Sequence, residues 1–191
     1  MANTDRPRCG WATSAPEYVA YHDDEWGTPL HGDREMFERM SLEAFQSGLS
    51  WLIILRKRAA FRLAFADFEI ETVAGFDDDD VRRLLDDAGI VRNRRKIEAA
   101  VANARAVGDA VPEGLDAFLW SFAPAAPRRR PRDLGEVPAT SVESVAMAQA
   151  LKKRGFRFVG PTTAYALMQA TGMVDDHVAT CWRALTGDVR S

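Results

Sequence analysis

Long apolar runs are absent from the 191-residue sequence, and cysteine is scarce, with two residues. No stretch approaches the run of about 20 apolar residues that spans a bilayer. The opening residues, Met-Ala-Asn-Thr-Asp-Arg, contain no apolar core typical of a signal peptide. Two cysteines are too few for a disulfide scaffold. From these absences we expect a cytoplasmic protein that does not associate with membranes.

A strong excess of one charge sign is also absent, because the formal net charge is −3. The molecule as a whole is therefore not an electrostatic attractor of nucleic acid. Its basic residues are unevenly spread, however, and form two clusters: Arg92, Arg94, Arg95 and Lys96, and then Arg128, Arg129, Arg130 and Arg132. A local basic face on a weakly acidic protein remains compatible with DNA binding.

Strand patterns are scarce as well, whereas helical spacing of apolar residues recurs along most of the chain. The length and the 47% hydrophobic content suit one domain with a substantial core. We therefore predict an all-α fold and a single helical domain over residues 1–191. The predicted helices before residue 123 cover 18–25, 34–47, 51–65, 69–74, 80–87, 94–107 and 115–122. Residues 123–140 are rich in proline and arginine without periodicity, which is typical of a loop.

Residues 142–172 have the pattern of two helices joined by a tight glycine turn. Thr140 and Glu143 have the spacing of a capping box, which predicts the start of the first helix. Gly155 and Gly160 bracket the turn and would let its backbone approach another surface closely. This pattern is typical of a helix-hairpin-helix unit.

The surroundings of this glycine turn suit a nucleic-acid backbone. Lys153 and Arg157 lie beside it in the sequence. Thr162 falls in the first turn of the second helix, where free N–H groups carry a partial positive charge that favours a phosphate. The alternative is an ordinary helical turn with a solvated basic face.

Each cysteine has a histidine close enough in sequence to share one metal ion. His177 and Cys181 are spaced i and i+4, which on a helix would place them on one face. Cys9 and His22 supply a second pair. Two sulfurs and two nitrogens fit tetrahedral zinc with no open position, so such a zinc would be structural and would join the N-terminal segment to the C-terminal helix. A Cys9–Cys181 disulfide and two unrelated thiols are the alternatives.

Glu43 lies on a predicted helical face that is otherwise largely apolar, where a carboxylate costs free energy unless something pairs with it. The same or neighbouring segments contain five aromatic residues: Trp11, Tyr18, Tyr21, Trp26 and Trp51. Aromatic walls with one acid suit a flat cationic ring, through stacking, cation–π attraction and a charge-assisted hydrogen bond. The alternatives are a glutamate that reaches water from a rim and aromatic side chains that belong to an ordinary core.

Several short motifs are spread over the chain: Cys9-Gly10-Trp11, Tyr18-Val19-Ala20-Tyr21-His22-Asp23-Asp24-Glu25-Trp26-Gly27, Gly48-Leu49-Ser50-Trp51, Asp87-Ala88-Gly89-Ile90, Leu119-Trp120-Ser121-Phe122, Lys152-Lys153-Arg154-Gly155-Phe156-Arg157-Phe158-Val159-Gly160 and Asp176-His177. Together, over roughly residues 8–183, they resemble the 3-methyladenine DNA glycosylase I family of the helix-hairpin-helix glycosylase superfamily. The resemblance implies an enzyme that flips 3-methyladenine out of alkylated double-stranded DNA and hydrolyses its N-glycosidic bond.

The resemblance also implies roles for individual residues. It implies one structural Zn²⁺ ion per chain, with the ligands Cys9, His22, His177 and Cys181. Base recognition falls to Glu43, surrounded by Trp11, Tyr18, Tyr21 and Trp51. Leu49 corresponds to an apolar wedge that fills the gap left by the flipped base.

Two positions bear on the type of chemistry. Many members of the superfamily carry a sugar-stabilising aspartate at the place of Asp175, whereas this family can carry asparagine there. Asp175 is therefore either catalytic, or else Asp175 or Asp176 caps the helix that carries the zinc ligands. Bifunctional members carry a lysine where Thr162 stands, so we expect a monofunctional glycosylase that does not nick DNA. We also expect the protein to be a monomer. The alternative function is a catalytically decayed, zinc-stabilised DNA-binding module.

Overall fold

The computed structural model describes residues 6–185, and within this range the chain is helical with no strand, which confirms the predicted all-α class. The predictions about residues 1–5 and about the ends of the 1–191 domain lie outside the described residues. The α-helices of the described range are α1 (Pro16–Asp24), α2 (Asp33–Gln46), α3 (Trp51–Ala64), α4 (Ile70–Ala74), α5 (Asp78–Asp86), α6 (Arg94–Ala110), α7 (Leu115–Trp120), α8 (Val142–Lys153), α9 (Pro161–Ala170) and α10 (Trp182–Leu185). None of them is long and apolar enough to cross a membrane.

Helix α2 is the central element of the fold, since it packs against α3, α6, α7 and α9. It buries residues around most of its circumference: Met36, Phe37, Arg39, Met40, Ser41, Leu42, Glu43, Ala44 and Phe45. A helix buried on most sides belongs to the interior of the molecule. The same burial takes the carboxyl group of Glu43 away from water.

The predicted capping box at the start of α8 is wrong by one residue. The N-cap is Ser141, whose Oγ accepts from the Ser144 amide at 3.1 Å, while Ser144 Oγ accepts from the Ser141 amide at 2.8 Å. Serine satisfies both free amides at close range, so Thr140 is not needed. Glu143 forms an ion pair with Arg128 instead.

The turn after α8 explains the first of the two glycines. Gly155 has a φ of +86°, and its amide donates to Lys152 O at 3.1 Å. The Phe156 amide donates to Leu151 O, and both side chains lie in the core. This pair of bonds with its apolar contact is a Schellman motif, which requires a left-handed residue after the helix. Helix α9 then returns and packs along α8.

The loop at residues 123–140 contains one short 3₁₀ turn, Leu134–Glu136. Its arginines form ion pairs with carboxylates of the loop itself, of α8 and of the segment before His177; these arginines are Arg128, Arg129, Arg130 and Arg132. The basic cluster is therefore used to fasten the loop to the body of the protein.

Candidate active site

The four predicted metal ligands come together from the two ends of the described chain. All four side chains are buried, and their ligand atoms lie within 4.8 Å of one another. Sulfur–nitrogen separations are 3.7 Å for Cys9–His177, 3.4 Å for Cys181–His22 and 3.6 Å for Cys181–His177. Around a tetrahedral zinc, bond lengths of about 2.3 Å to sulfur and about 2.0 Å to nitrogen give separations of about 3.6 Å. The donor set therefore fits a Zn²⁺ ion.

The outer nitrogen of each imidazole also has the partner that a metal ligand needs. His22 Nδ1 lies 2.9 Å from Asp23 Oδ1, and His177 Nε2 lies 3.2 Å from Trp26 O. Because both oxygens can only accept, these ring nitrogens carry the protons and leave the inner nitrogens free to bind a metal. Burial of Asp23 is outweighed by hydrogen bonds from Arg8, His22 and Trp182, which hold its pKa well below its usual range.

The predicted helical face for His177 and Cys181 is wrong, because both residues lie before α10 rather than on it. A tight turn closes the i, i+4 spacing instead, with the Cys181 amide donating to Val178 O at 2.8 Å. Most of residues 171–178 are buried, so tertiary contacts fix this backbone and a helix is not needed. The site thus joins the N-terminal segment to the residues that precede the last helix.

Both cysteines are free thiols in the structure, which does not contain the alternative disulfide. The hydrogen bond between them lowers the pKa of Cys181, which His177 and His22 lower further. The same contact and burial raise the pKa of Cys9.

A cavity of about 630 Å³ lies beside this cluster. All five residues predicted for base recognition line it: Trp11, Tyr18, Tyr21, Glu43 and Trp51. Trp26, which the sequence analysis groups with these aromatic residues, lines it too. The remaining lining residues were not predicted: Ser14, Gln46, Leu134, Val137, Ala166, Gln169 and Asp176. The volume falls in the range of about 300–1,000 Å³ that is usual for small-molecule sites.

Hydrogen bonds anchor the aromatic walls of the cavity. Tyr18 Oη accepts from the Leu52 amide at 3.0 Å, and Tyr21 Oη accepts from Arg39 at 2.9 Å. The ring of Tyr21 lies 5.5 Å from that of Trp51, centre to centre. Since neither phenol is free to rotate away, the walls are held in place for a flat ligand.

Glu43 is the acidic group of the cavity, and only 5% of its surface is exposed. Burial raises its pKa to about 7, against the opposing charge of Arg39. Arg39 is itself engaged by Tyr21 and Glu25. Among the described residues, none forms a hydrogen bond or ion pair with the Glu43 carboxyl group. A cationic ligand would therefore meet an acid that ionises near neutral pH.

The metal cluster and the cavity share a wall. The ring of Trp11 lies 5.4 Å from that of His22, and the ring of Trp26 lies 4.7 Å from that of His177. The two indoles are 5.2 Å apart and both line the cavity. The two histidines of the predicted metal site therefore contact indole rings that form part of the cavity wall.

The two neighbouring aspartates have different surroundings. Asp175 pairs with Arg130 at 2.6 Å and accepts from the His177 amide at 3.2 Å, and it does not line the cavity. Asp176 lines the cavity, and its Oδ2 accepts from Tyr165 at 2.6 Å and from Gln169 at 2.8 Å. Sequence reasoning considered Asp176 only as a cap, because no pattern places it opposite Glu43.

The residues predicted to contact DNA lie on two surface turns. The exposed set on the α8–α9 turn and the first turn of α9 is Lys153, Gly155, Arg157, Gly160 and Thr162. Leu49 is half-buried in the turn between α2 and α3, where its carbonyl accepts from Gln46 Nε2 at 2.9 Å. Gly160 has an ordinary φ of −70°, and an added Cβ would meet no atom within 4 Å. Among residues 6–185, nothing therefore requires glycine at position 160.

Two buried polar residues of α6, which the sequence analysis missed, hold both turns. Asn103 Oδ1 accepts from the Arg157 amide at 2.8 Å, and Asn103 Nδ2 donates to Arg157 O at 3.1 Å. Lys96 Nζ donates to Phe45 O at 2.9 Å and to Ser47 O. Lys96 and Asn103 are seven residues apart, so they lie two turns apart on one face of α6. A single helix fixes the two turns relative to each other.

Comparison with known proteins agrees with this geometry. The family model described as methyladenine glycosylase matches residues 11–184. The chain is 46% identical to the DNA-3-methyladenine glycosylase 1 of Escherichia coli strain K12, over 91% of this chain and 95% of the relative. It is 41% identical to the DNA-3-methyladenine glycosylase of Haemophilus influenzae, over 91% and 96%.

Solved structures show the same fold. A crystal structure of a 3-methyladenine DNA glycosylase I superposes with a TM-score of 0.88 at 42% identity, covering 92% of this chain and 98% of the other. The Staphylococcus aureus 3-methyladenine DNA glycosylase I, solved to explain 3-methyladenine recognition, superposes with a TM-score of 0.86 at 34% identity, covering 92% and 95%.

Proposed function

The chain belongs to the methyladenine glycosylase family, and we propose that it is a DNA repair enzyme that excises 3-methyladenine from alkylated DNA. The observation that carries the proposal is Glu43, a buried acid that has no partner among the described residues and lies in an aromatic cavity large enough for one base. Two relatives that match almost end to end bear the name of this activity.

The proposed reaction depends mainly on extruding and selecting the damaged base. Methylation at N3 makes the base a cation and hence a good leaving group, so water can complete hydrolysis of the N-glycosidic bond with little acid–base help. Damaged bases unstack at lower cost than normal ones. Trp11, Tyr18, Tyr21 and Trp51 would stack around the flipped ring, and the Glu43 carboxylate would favour the methylated cation over neutral adenine.

The role that we propose for Asp175 is structural. Its ion pair with Arg130 and its bond to the His177 amide support the capping alternative over the catalytic one. A carboxylate already held by a guanidinium is less available to stabilise a sugar cation.

We propose that the Cys9, His22, His177 and Cys181 cluster holds one structural Zn²⁺ ion. When bound, a zinc with four protein ligands cross-links chain segments and offers no open coordination position. In the protein, the ligands would hold Trp11 and Trp26 in the cavity wall.

We propose that the α8–α9 turn binds the DNA backbone through the exposed residues Lys153, Gly155, Arg157, Gly160 and Thr162, and that Leu49 fills the gap left by the base. No described neighbour requires glycine at position 160, and the lack of a side chain there supports a close approach by the DNA backbone. Thr162 offers no amine for a Schiff base, so the enzyme would leave an abasic site without nicking the strand.

The protein would act as a monomer on double-stranded DNA. Because the curated relatives come from bacteria, where the chromosome lies in the cytoplasm, we propose a cytoplasmic location. A decayed, zinc-stabilised DNA-binding module is the competing function. The complete cavity, with all five predicted base-binding residues in place, favours the enzyme.

The proposal is tested by incubating the protein with N-methylated duplex DNA and identifying the released base. We expect free 3-methyladenine and DNA that breaks only after alkali treatment. Folded, zinc-loaded protein that binds duplex DNA but releases no base would support the binding module instead.

A further inference from the structure

The basic cluster at residues 92–96 divides into two parts in the structure. Lys96 is buried, whereas Arg92, Arg94 and Arg95 are exposed at the start of α6. Within the described part of the chain, neither Arg92 nor Arg95 has a hydrogen bond or an ion pair. Arg94 has one weak pair with Glu98, at 3.4 Å. These arginines differ from those of the 123–140 loop, which are fastened to carboxylates.

The exposed arginines do not help the helix that carries them. The first turn of α6 contains no acidic residue, and its N-cap is the neutral Asn93. Cations at a helix N-terminus oppose the macrodipole and reduce helix stability. Arg94 and Arg95 therefore weaken the element to which they belong.

The position of this patch links it to the proposed wedge. Lys96, which follows Arg95 directly, donates to Ser47 O in the turn that contains Leu49. The start of α6 is thus attached to the turn that would enter the duplex. At the other end of the same helical face, Asn103 is attached to the α8–α9 turn. The two attachment points are about 10 Å apart along α6.

We propose that Arg92 and Arg95 form a second DNA-backbone contact beside Leu49, in addition to the α8–α9 turn. This inference rests on the proposed function. Guanidinium groups bind phosphate oxygens through two parallel hydrogen bonds, and backbone contacts of this kind fix the register of a protein on duplex DNA. The attachment points of the two turns on α6 are about 10 Å apart, about the axial length of three base pairs, so one duplex site can span both. Lys96 and Asn103 hold them at a constant separation.

The test compares two charge reversals of equal size, Arg95→Glu and Arg82→Glu. Arg82 is an exposed arginine on α5 that does not line the cavity, so it controls for the change in net charge. The probe is duplex DNA that contains a tetrahydrofuran abasic-site analogue. We expect Arg95→Glu to weaken binding about tenfold and Arg82→Glu to change it less than about twofold.

Two further readouts separate a DNA contact from a structural role. Arg95→Glu places an acid in the first turn of α6, so its melting temperature should equal or exceed that of the wild type. Affinity for free 3-methyladenine should be unchanged. Arg92→Ala should reduce the magnitude of the slope of log association constant for duplex DNA against log salt concentration by about 1.

Equal loss of duplex affinity in Arg95→Glu and Arg82→Glu would overturn the inference, and so would no loss in either. In both cases base release by the wild type would leave the proposed function intact. Loss of 3-methyladenine affinity in Arg95→Glu would also overturn the backbone contact, since it would indicate a disturbed cavity. Wild-type protein that binds no duplex and releases no base would contradict both proposals.

Discussion

At the scale of single residues, Glu43 shows a conflict between stability and recognition. Its carboxyl group lies among apolar and aromatic side chains, and burial raises its pKa to about 7 from a usual value of 4.5. The folded protein therefore favours the protonated form, while the proposed ligand requires the carboxylate. The ionisation of Glu43 does not reduce the free energy of unfolding below about pH 4.5, and it reduces that free energy progressively as the pH rises from there towards 7.

Glu43→Gln should accordingly stabilise the protein at neutral and alkaline pH. The neutral amide avoids the cost of ionisation, so the variant should exceed the wild type by up to about 3 kcal/mol above pH 7. Below about pH 4.5 the two proteins should be equally stable. Urea unfolding at pH 4.5 and pH 8 measures both differences, and a variant that is less stable at pH 8 would contradict the buried, partnerless state of Glu43.

Asp175→Asn tests the proposed structural role of the neighbouring acid. The substitution removes the ion pair with Arg130 but keeps an oxygen for the His177 amide. We expect a loss of about 1 kcal/mol in unfolding free energy and single-turnover cleavage within about threefold of the wild type. A tenfold slower cleavage with unchanged stability and DNA binding would favour the catalytic alternative.

At the scale of structural elements, the α8–α9 turn uses its two glycines for different purposes. Gly155 is required by its own backbone, because its φ of +86° closes the Schellman motif. Gly160 has no such requirement, and its surroundings are open. In the described part of the chain, its lack of a side chain is therefore not required by packing or by backbone conformation.

Gly160→Ala should separate stability from DNA binding. Alanine fits the observed backbone, so thermal stability should stay the same or rise slightly, through a less flexible unfolded chain. Affinity for duplex DNA should fall several-fold, because the added methyl group would hold the phosphate backbone away. Gly155→Ala is the contrasting variant and should have a lower melting temperature, because alanine is strained at a φ of +86°. Unchanged DNA affinity in Gly160→Ala would contradict the proposed contact at this turn.

At the scale of the whole molecule, the Cys9, His22, His177 and Cys181 cluster connects the two ends of the described chain and supports the cavity wall. A small satellite core surrounds it: Cys9, Val178 and Cys181, packed by Trp11, Trp26, Trp182 and Ala184. Because two of these indoles also line the cavity, loss of the proposed metal should disturb the cavity wall.

Removal of metal should therefore lower both stability and ligand affinity. Dialysis against a zinc chelator, or Cys181→Ser, should lower the melting temperature and weaken binding of free 3-methyladenine by at least about tenfold. Metal analysis should give one zinc per chain before treatment. Full 3-methyladenine affinity in metal-free protein would contradict the coupling between cluster and cavity.

Sequence reasoning reached the helices and the composition of the cavity but not the contacts between elements. Helical periodicity and glycine stops predicted helices such as α3 and α6 within a few residues. The roles of Lys96, Asn103 and Asp176 were missed, since each depends on a partner more than five residues away along the chain. The i, i+4 spacing of His177 and Cys181 predicts a helix, but a tight turn brings the two residues equally close.

The measurement that tests the central claim most directly is single-turnover release of 3-methyladenine as a function of pH, at subsaturating DNA. Under these conditions the pH dependence of the rate reports the pKa values of the essential groups in the free enzyme. For the wild type we predict a rate that rises through about pH 7 and then levels off, as Glu43 becomes a carboxylate. Glu43→Gln should be at least about 100-fold slower and should lack this rise. Release by Glu43→Gln at the wild-type rate would contradict the account.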